Sequence, residues 1–154
     1  MSLKIIIGND HGGFGAKVEI VKHLRLKGLE ATNIGSDSEE IVRYPHYARK
    51  VAQAVASGEF DRGVLICSTG IGMSIAANKF KGIRAALCTS TYMAKITRRH
   101  NDSNILCLGG KITHIVELLA IVGAWLENEY EGGRHAISLG LISELEEELS
   151  RTHK

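Results

Sequence analysis

Residues 63–74 read GVLICSTGIGMS. Gly63–Cys67 is an unbroken apolar run, the pattern of a strand buried on both faces of a parallel sheet. It breaks at Cys67 into Ser68-Thr69-Gly70-Ile71-Gly72, and a helical stretch, IAANKF, follows. Strand, glycine-rich turn and helix start together make one unit of an α/β protein. A cysteine at such a turn can serve as a nucleophile, lie in a phosphate cradle, or act as a base beside an anion hole.

Outward from this unit the same alternation repeats. Lys4–Gly8 (KIIIG) is a β-branched run closed by the polar cluster NDHGG, and Ala16–Lys27 carries a helical pattern through Val18, Val21, Leu24 and Leu26. Leu29–Ile34, Ile83–Cys88 and Asn104–Leu108 are further strands. Helices are expected through Ala48, Val51, Ala52 and Val55, over Tyr92–His100, over Ile115–Tyr130, and from His135 to Arg151. Pro45 suits a first helical turn, where its missing N–H has no partner to lose. The spacing predicts one domain over residues 1–154, a doubly wound α/β sheet of about five parallel strands. The expected strand order is 2-1-3-4-5. Such sheets bind ligands beyond the carboxyl ends of their strands. Strands one and three are then neighbours, and Asp10 and His11 face Cys67 across the crevice.

Composition narrows the function. A net charge of +2, with four Tyr, three Phe and one Trp, offers no basic-aromatic surface for nucleic acid. No apolar run is long enough to span a bilayer. The chain enters a strand pattern at once, without a leader, and three cysteines lack CxxC spacing, which points to reduced thiols in the cytoplasm.

The nucleophile reading of CSTGIGMS fails first. A cysteine phosphatase loop needs an arginine six residues after its cysteine, and Met73 stands there. The nucleotide readings fail next. No GxxxxGK[ST] string exists, and Ile75 occupies the third glycine position of GxGxxG. A base beside an anion hole remains. Gly70 and Gly72 let backbone N–H groups turn toward an anion at a helix start. That anion can be an enediolate oxygen formed by proton abstraction beside a carbonyl. The same field favours a thiolate at that place. Read in isolation, Cys67 is equally a packing residue, and Cys88 and Cys107 keep that reading.

The strings GNDHGG, YPHYA, LICSTGIGMSIAANKFKGIRAALC, RRHNDSNIL and YEGGRH resemble ribose-5-phosphate isomerase B and the related galactose-6-phosphate isomerase subunits. The resemblance runs from about Lys4 to about His135. It implies a Rossmann-like αβα sandwich, a homodimer or dimer of dimers with sites between subunits, and metal-independent aldose-ketose isomerisation through an enediol, without a cofactor. By the same resemblance Cys67 matches the general base, and Thr69, Gly70, Ile71 and Gly72 the enediolate loop. His100 and Asp10 match residues of ring opening, and Asn101 lies beside the substrate. His11 and Arg134 match phosphate ligands. Two positions depart from the pattern. Lys111 and Ser138 stand where the family usually has arginine, which weakens the phosphate anchor. A tetrose or hexose phosphate, a free sugar, a noncatalytic sugar-phosphate-binding module and, more weakly, a redox-sensing thiol protein are the alternatives. No ligand cluster at metal spacing is visible in the sequence. The tail helix departs most from the family, and packing on a partner subunit is the expectation for it.

Overall fold

The computed structural model describes residues 2–153; Met1 and Lys154, the ends of the domain expected from the sequence, lie outside them. Five strands form one parallel sheet: β1 (Ile5–Asn9), β2 (Ala31–Asn33), β3 (Arg62–Cys67), β4 (Ala85–Leu87) and β5 (Ile105–Gly109). The helices are α1 (Phe14–Leu26), α2 (Tyr44–Ala56), α3 (Ile71–Ala77), α4 (Thr91–Asn101), α5 (Ile115–Glu127) and α6 (His135–Thr152). A short 3-10 turn, His11–Gly13, joins β1 to α1.

The period-two alternation of a strand divides the core in two. On one face Ile5, Ile7, Val64, Ile66, Leu106 and Leu108 meet Ile20 and Leu24 of α1, Ala94 of α4, and Leu118, Ile121, Val122 and Trp125 of α5. On the other, Ile6, Leu65, Cys67, Ile105 and Cys107 meet Ala48, Val51, Ala52 and Val55 of α2 and Met73 and Ala77 of α3. Each fully buried aliphatic side chain contributes roughly 1.5–3 kcal/mol. Helix ends follow local chemistry. Pro45 lies in the first turn of α2, and Ser90 caps α4 by accepting the Met93 N–H at 3.2 Å. Asp102, at φ 46°, closes α4 in the left-handed region.

The strand order is 2-1-3-5-4, which corrects the expected 2-1-3-4-5. β3 pairs with β5 from Gly63↔Ile105 to Cys67↔Gly109, and β4 lies outside, pairing only with β5. Burial explains the exchange. Every residue of β5 is buried, as an interior strand requires, whereas the three residues of β4 are only partly covered. No helix among the described residues is long and apolar enough to cross a membrane.

Candidate active site

The carboxyl ends of β1, β3 and β5 bring three loops together. The Asp10 N–H donates to Ile66 O at 3.2 Å, Gly110 N–H to Cys67 O at 2.8 Å, and Lys111 N–H to Ser68 O at 3.0 Å. Asp10 Oδ1 accepts the Gly12 N–H at 2.9 Å, so the carboxylate caps its own turn. His11 Nδ1 lies 3.2 Å from the Val42 main chain, which ties the loop before α2 to this cluster. Asn9 and Lys17, both buried, secure the same loop from below. Asn9 Nδ2 donates to Asp10 O and Ser36 O, and Lys17 Nζ donates to Ser36 O at 2.7 Å. Gly12 is required by contact: a Cβ there would lie 2.2 Å from Ser68 Oγ.

Cys67 is 5% exposed, and its Sγ accepts the Gly70 N–H at 3.1 Å. The Ile71 N–H is taken by Thr69 Oγ1 at 3.2 Å. Two amides that the sequence reading aimed at a substrate oxygen are thus taken up inside the loop. One of them holds the sulfur itself. The amides of Gly72 and Met73 are the next ones that a helix start leaves without an intrahelical acceptor. Tyr44 lies against this helix start, because a Cβ on Gly72 would lie 2.7 Å from its ring. Burial pushes the Cys88 thiol up to about 11 and raises Cys107 further. Neither is a candidate base.

Asp10, His11, Cys67, Thr69, Gly70, Ile71, Gly72 and Lys111 therefore share one end of the sheet. His100, Asn101 and Arg134 do not. α4 runs back across the sheet, and its last turn leads into the amino end of β5. Arg84, which precedes β4, donates to Asn101 O at 3.0 Å, and the Gly63 N–H donates to Asn104 O at 2.9 Å. From Gly63 to Cys67 the strand rises roughly 13 Å, so His100 and Asn101 lie at the end of the sheet opposite the thiol. Arg134 stays with them, since its neighbour His135 stacks on His100 with ring centroids 4.0 Å apart. Ser138 is in the first turn of α6 on the same side.

A family model described as Ribose/Galactose Isomerase matches residues 5–142. The chain is 50% identical over 144 residues to the ribose-5-phosphate isomerase B of Escherichia coli (strain K12), covering 94% of this chain and 97% of that one. The chain belongs to the ribose/galactose isomerase family. Its fold matches that of the Clostridium thermocellum ribose-5-phosphate isomerase B at a TM-score of 0.94 and 51% identity, over 96% of this chain and 99% of that one. A Mycoplasma genitalium ribose-5-phosphate isomerase B, solved with bound ribulose-5-phosphate, matches at a TM-score of 0.91 and 37% identity, with the same two coverages.

This isomerase also gathers residues that motif reading passed over. Glu131, inside the quoted YEGGRH string, pairs with Arg99 and lies 3.9 Å from His100 Nε2 and 3.7 Å from His135 Nε2. Donor atoms of His100, Glu131 and His135 all lie within 4.8 Å of one another, a grouping that spacing in the sequence did not reveal. The two imidazoles are stacked only 14° from parallel. The Glu131 carboxylate is thus set among two imidazoles and the Arg99 guanidinium. Partial burial first, and then His100 and Arg134, push the His135 imidazole below its ordinary range. The signals for Glu131 and Tyr44 were present in YEGGRH and YPHYA, but neither string carries distances.

Proposed function

We propose that this isomerase interconverts ribose 5-phosphate and ribulose 5-phosphate. The Cys67 thiolate removes the C2 proton of the opened aldose; the pair of the broken C2–H bond forms the C1–C2 double bond, and the carbonyl pair moves onto O1 as an enediolate. The O2 proton passes to O1, and return of the thiol proton to C1 as the C2–O double bond forms leaves the carbonyl at C2. The Thr69 hydroxyl and the Gly72 amide at the end of the Gly70–Gly72 loop hold the charged oxygen, while the Gly70 and Ile71 amides hold the sulfur and the Thr69 oxygen. His100 and Asp10 move the hydroxyl and ring-oxygen protons during ring opening, and Asn101 orients the sugar. His11, Lys111 and Arg134 hold the phosphate. The observation that carries this reading is the Cys67 sulfur, held by the Gly70 N–H at the strand end beside Asp10. The names of the relatives at 50% and 51% identity support the substrate.

The two half-sites at opposite ends of the sheet support a shared site. Cys67 of one copy meets His100, Asn101 and Arg134 of another, in a homodimer or dimer of dimers. α6 supports the same reading. Ile137, Leu141, Leu145 and Leu149 recur every four residues and are all exposed, an apolar stripe suited to a second copy. The test is turnover on four-, five- and six-carbon aldose phosphates and their free sugars, with Cys67→Ala alongside. Ribose 5-phosphate is the expected substrate, and Cys67→Ala loses exchange of the C2 proton with solvent. Retained exchange removes Cys67 from the base role. Lys111 and Ser138 give the rival reading, another phosphosugar or a free sugar, its one specific support.

A further inference from the structure

We propose that Glu131 is a positioning residue for ring opening, acting through the imidazole of His100; this rests on the role given to His100 above. Glu131 lies in the loop between α5 and α6 and is fixed twice. Its N–H donates to Arg99 O at 3.0 Å, and its Oε1 pairs with the Arg99 guanidinium. The other oxygen, Oε2, faces His100 Nε2 at 3.9 Å and His135 Nε2 at 3.7 Å. His135 covers the face of the His100 ring. The imidazole is thus held across its face by His135, while an immobilised carboxylate lies off its Nε2 edge. A group that shuttles protons between a ring oxygen and a hydroxyl needs both a fixed plane and a nearby anion that stabilises it when protonated. Glu131 itself touches no reacting atom in this arrangement. Its hold on Arg99 stiffens the last turn of α4, on which His100 is mounted.

The two halves of the reaction separate this role from a structural one. A cyclic aldose phosphate must be opened before its C2 proton is accessible. A ketopentose 5-phosphate has no free hydroxyl placed to close a five-membered ring on C2 and is already open. Deuterium uptake at C1 of ribulose 5-phosphate in heavy water therefore reports the carbon-acid step alone. Net conversion of ribose 5-phosphate reports that step together with ring opening. Glu131→Gln, Glu131→Asp and His100→Ala are compared with the wild type by both readouts. For Glu131→Gln, kcat for net conversion falls at least about tenfold, while KM and deuterium uptake stay within about threefold. Glu131→Asp, which keeps the charge, recovers part of that loss. His100→Ala shows the same split more severely. Wild-type conversion by Glu131→Gln overturns the inference for Glu131 alone. Equal loss of conversion and uptake in Glu131→Gln also overturns it, because that is the mark of a collapsed site. Loss of uptake in His100→Ala overturns the ring-opening role of His100, and this inference with it.

Discussion

The Gly70 amide donates to the Cys67 sulfur at 3.1 Å, and it reaches the sulfur because Gly70 sits at φ 81°, where side chains are strained. Turn geometry and thiol chemistry are thereby one feature. A Cβ at this position would also lie 2.6 Å from Leu87 Cδ1 and 2.9 Å from the Leu108 main chain. Gly70→Ala is expected to destabilise the fold by roughly 2–4 kcal/mol and to lower turnover more than tenfold (~1.4 kcal/mol of barrier or more). Urea denaturation and steady-state assays check both. An unchanged midpoint contradicts the strained-turn argument.

The three cysteines divide by environment. Burial pushes Cys88 up to about 11 and Cys107 higher, so neither forms thiolate near neutrality. Iodoacetamide at mildly alkaline pH is expected to label Cys67 first, in step with loss of activity, and a sugar phosphate slows both. Peptide mass spectrometry reads the sites. Labelling of Cys88 at the rate of Cys67 goes against this assignment.

Much of this was legible in the sequence. The NDHGG and CSTGIG loops lie at the ends of adjacent strands, as their apolar flanks and fold rules required. The order of β4 and β5 was not legible, because two short apolar runs look alike until one is seen to bury both faces. The distance between His100 and Cys67 was hidden for another reason. A motif names residues but not the direction in which a helix carries them, and α4 carries His100 to the far end of the sheet. The orientation of the Gly70 and Ile71 amides depends on φ and on the Thr69 hydroxyl, which no residue pattern states.

His135 gives stability a pH dependence. Its folded value lies below the ordinary 6.5, so below that pH the unfolded chain binds a proton the folded chain resists. Stability therefore rises with pH from the folded value up to about 6.5 and levels off above it. Thermal unfolding between about pH 5 and 7.5 is expected to show a steeper rise for the wild type than for His135→Gln. Parallel curves contradict the assignment.

The proposed phosphate anchor is open to strengthening. Ser138, in the first turn of α6 near Arg134, offers no charge, and Lys111 offers one without a fork. Ser138→Arg is expected to lower KM for the phosphorylated substrate about tenfold, the equivalent of one charged hydrogen bond, with kcat little changed. KM for the free sugar stays the same. Equal gains on both sugars place the new arginine away from the phosphate.

The proposed shared site is tested most directly by mixing two variants expected to be inactive, Cys67→Ala and His100→Ala, after unfolding and refolding them together. If Cys67 of one copy works with His100 of the other, each mixed dimer contains one intact site, and random pairing restores about a quarter of wild-type activity. A mixture as inactive as its two components contradicts a site built across copies.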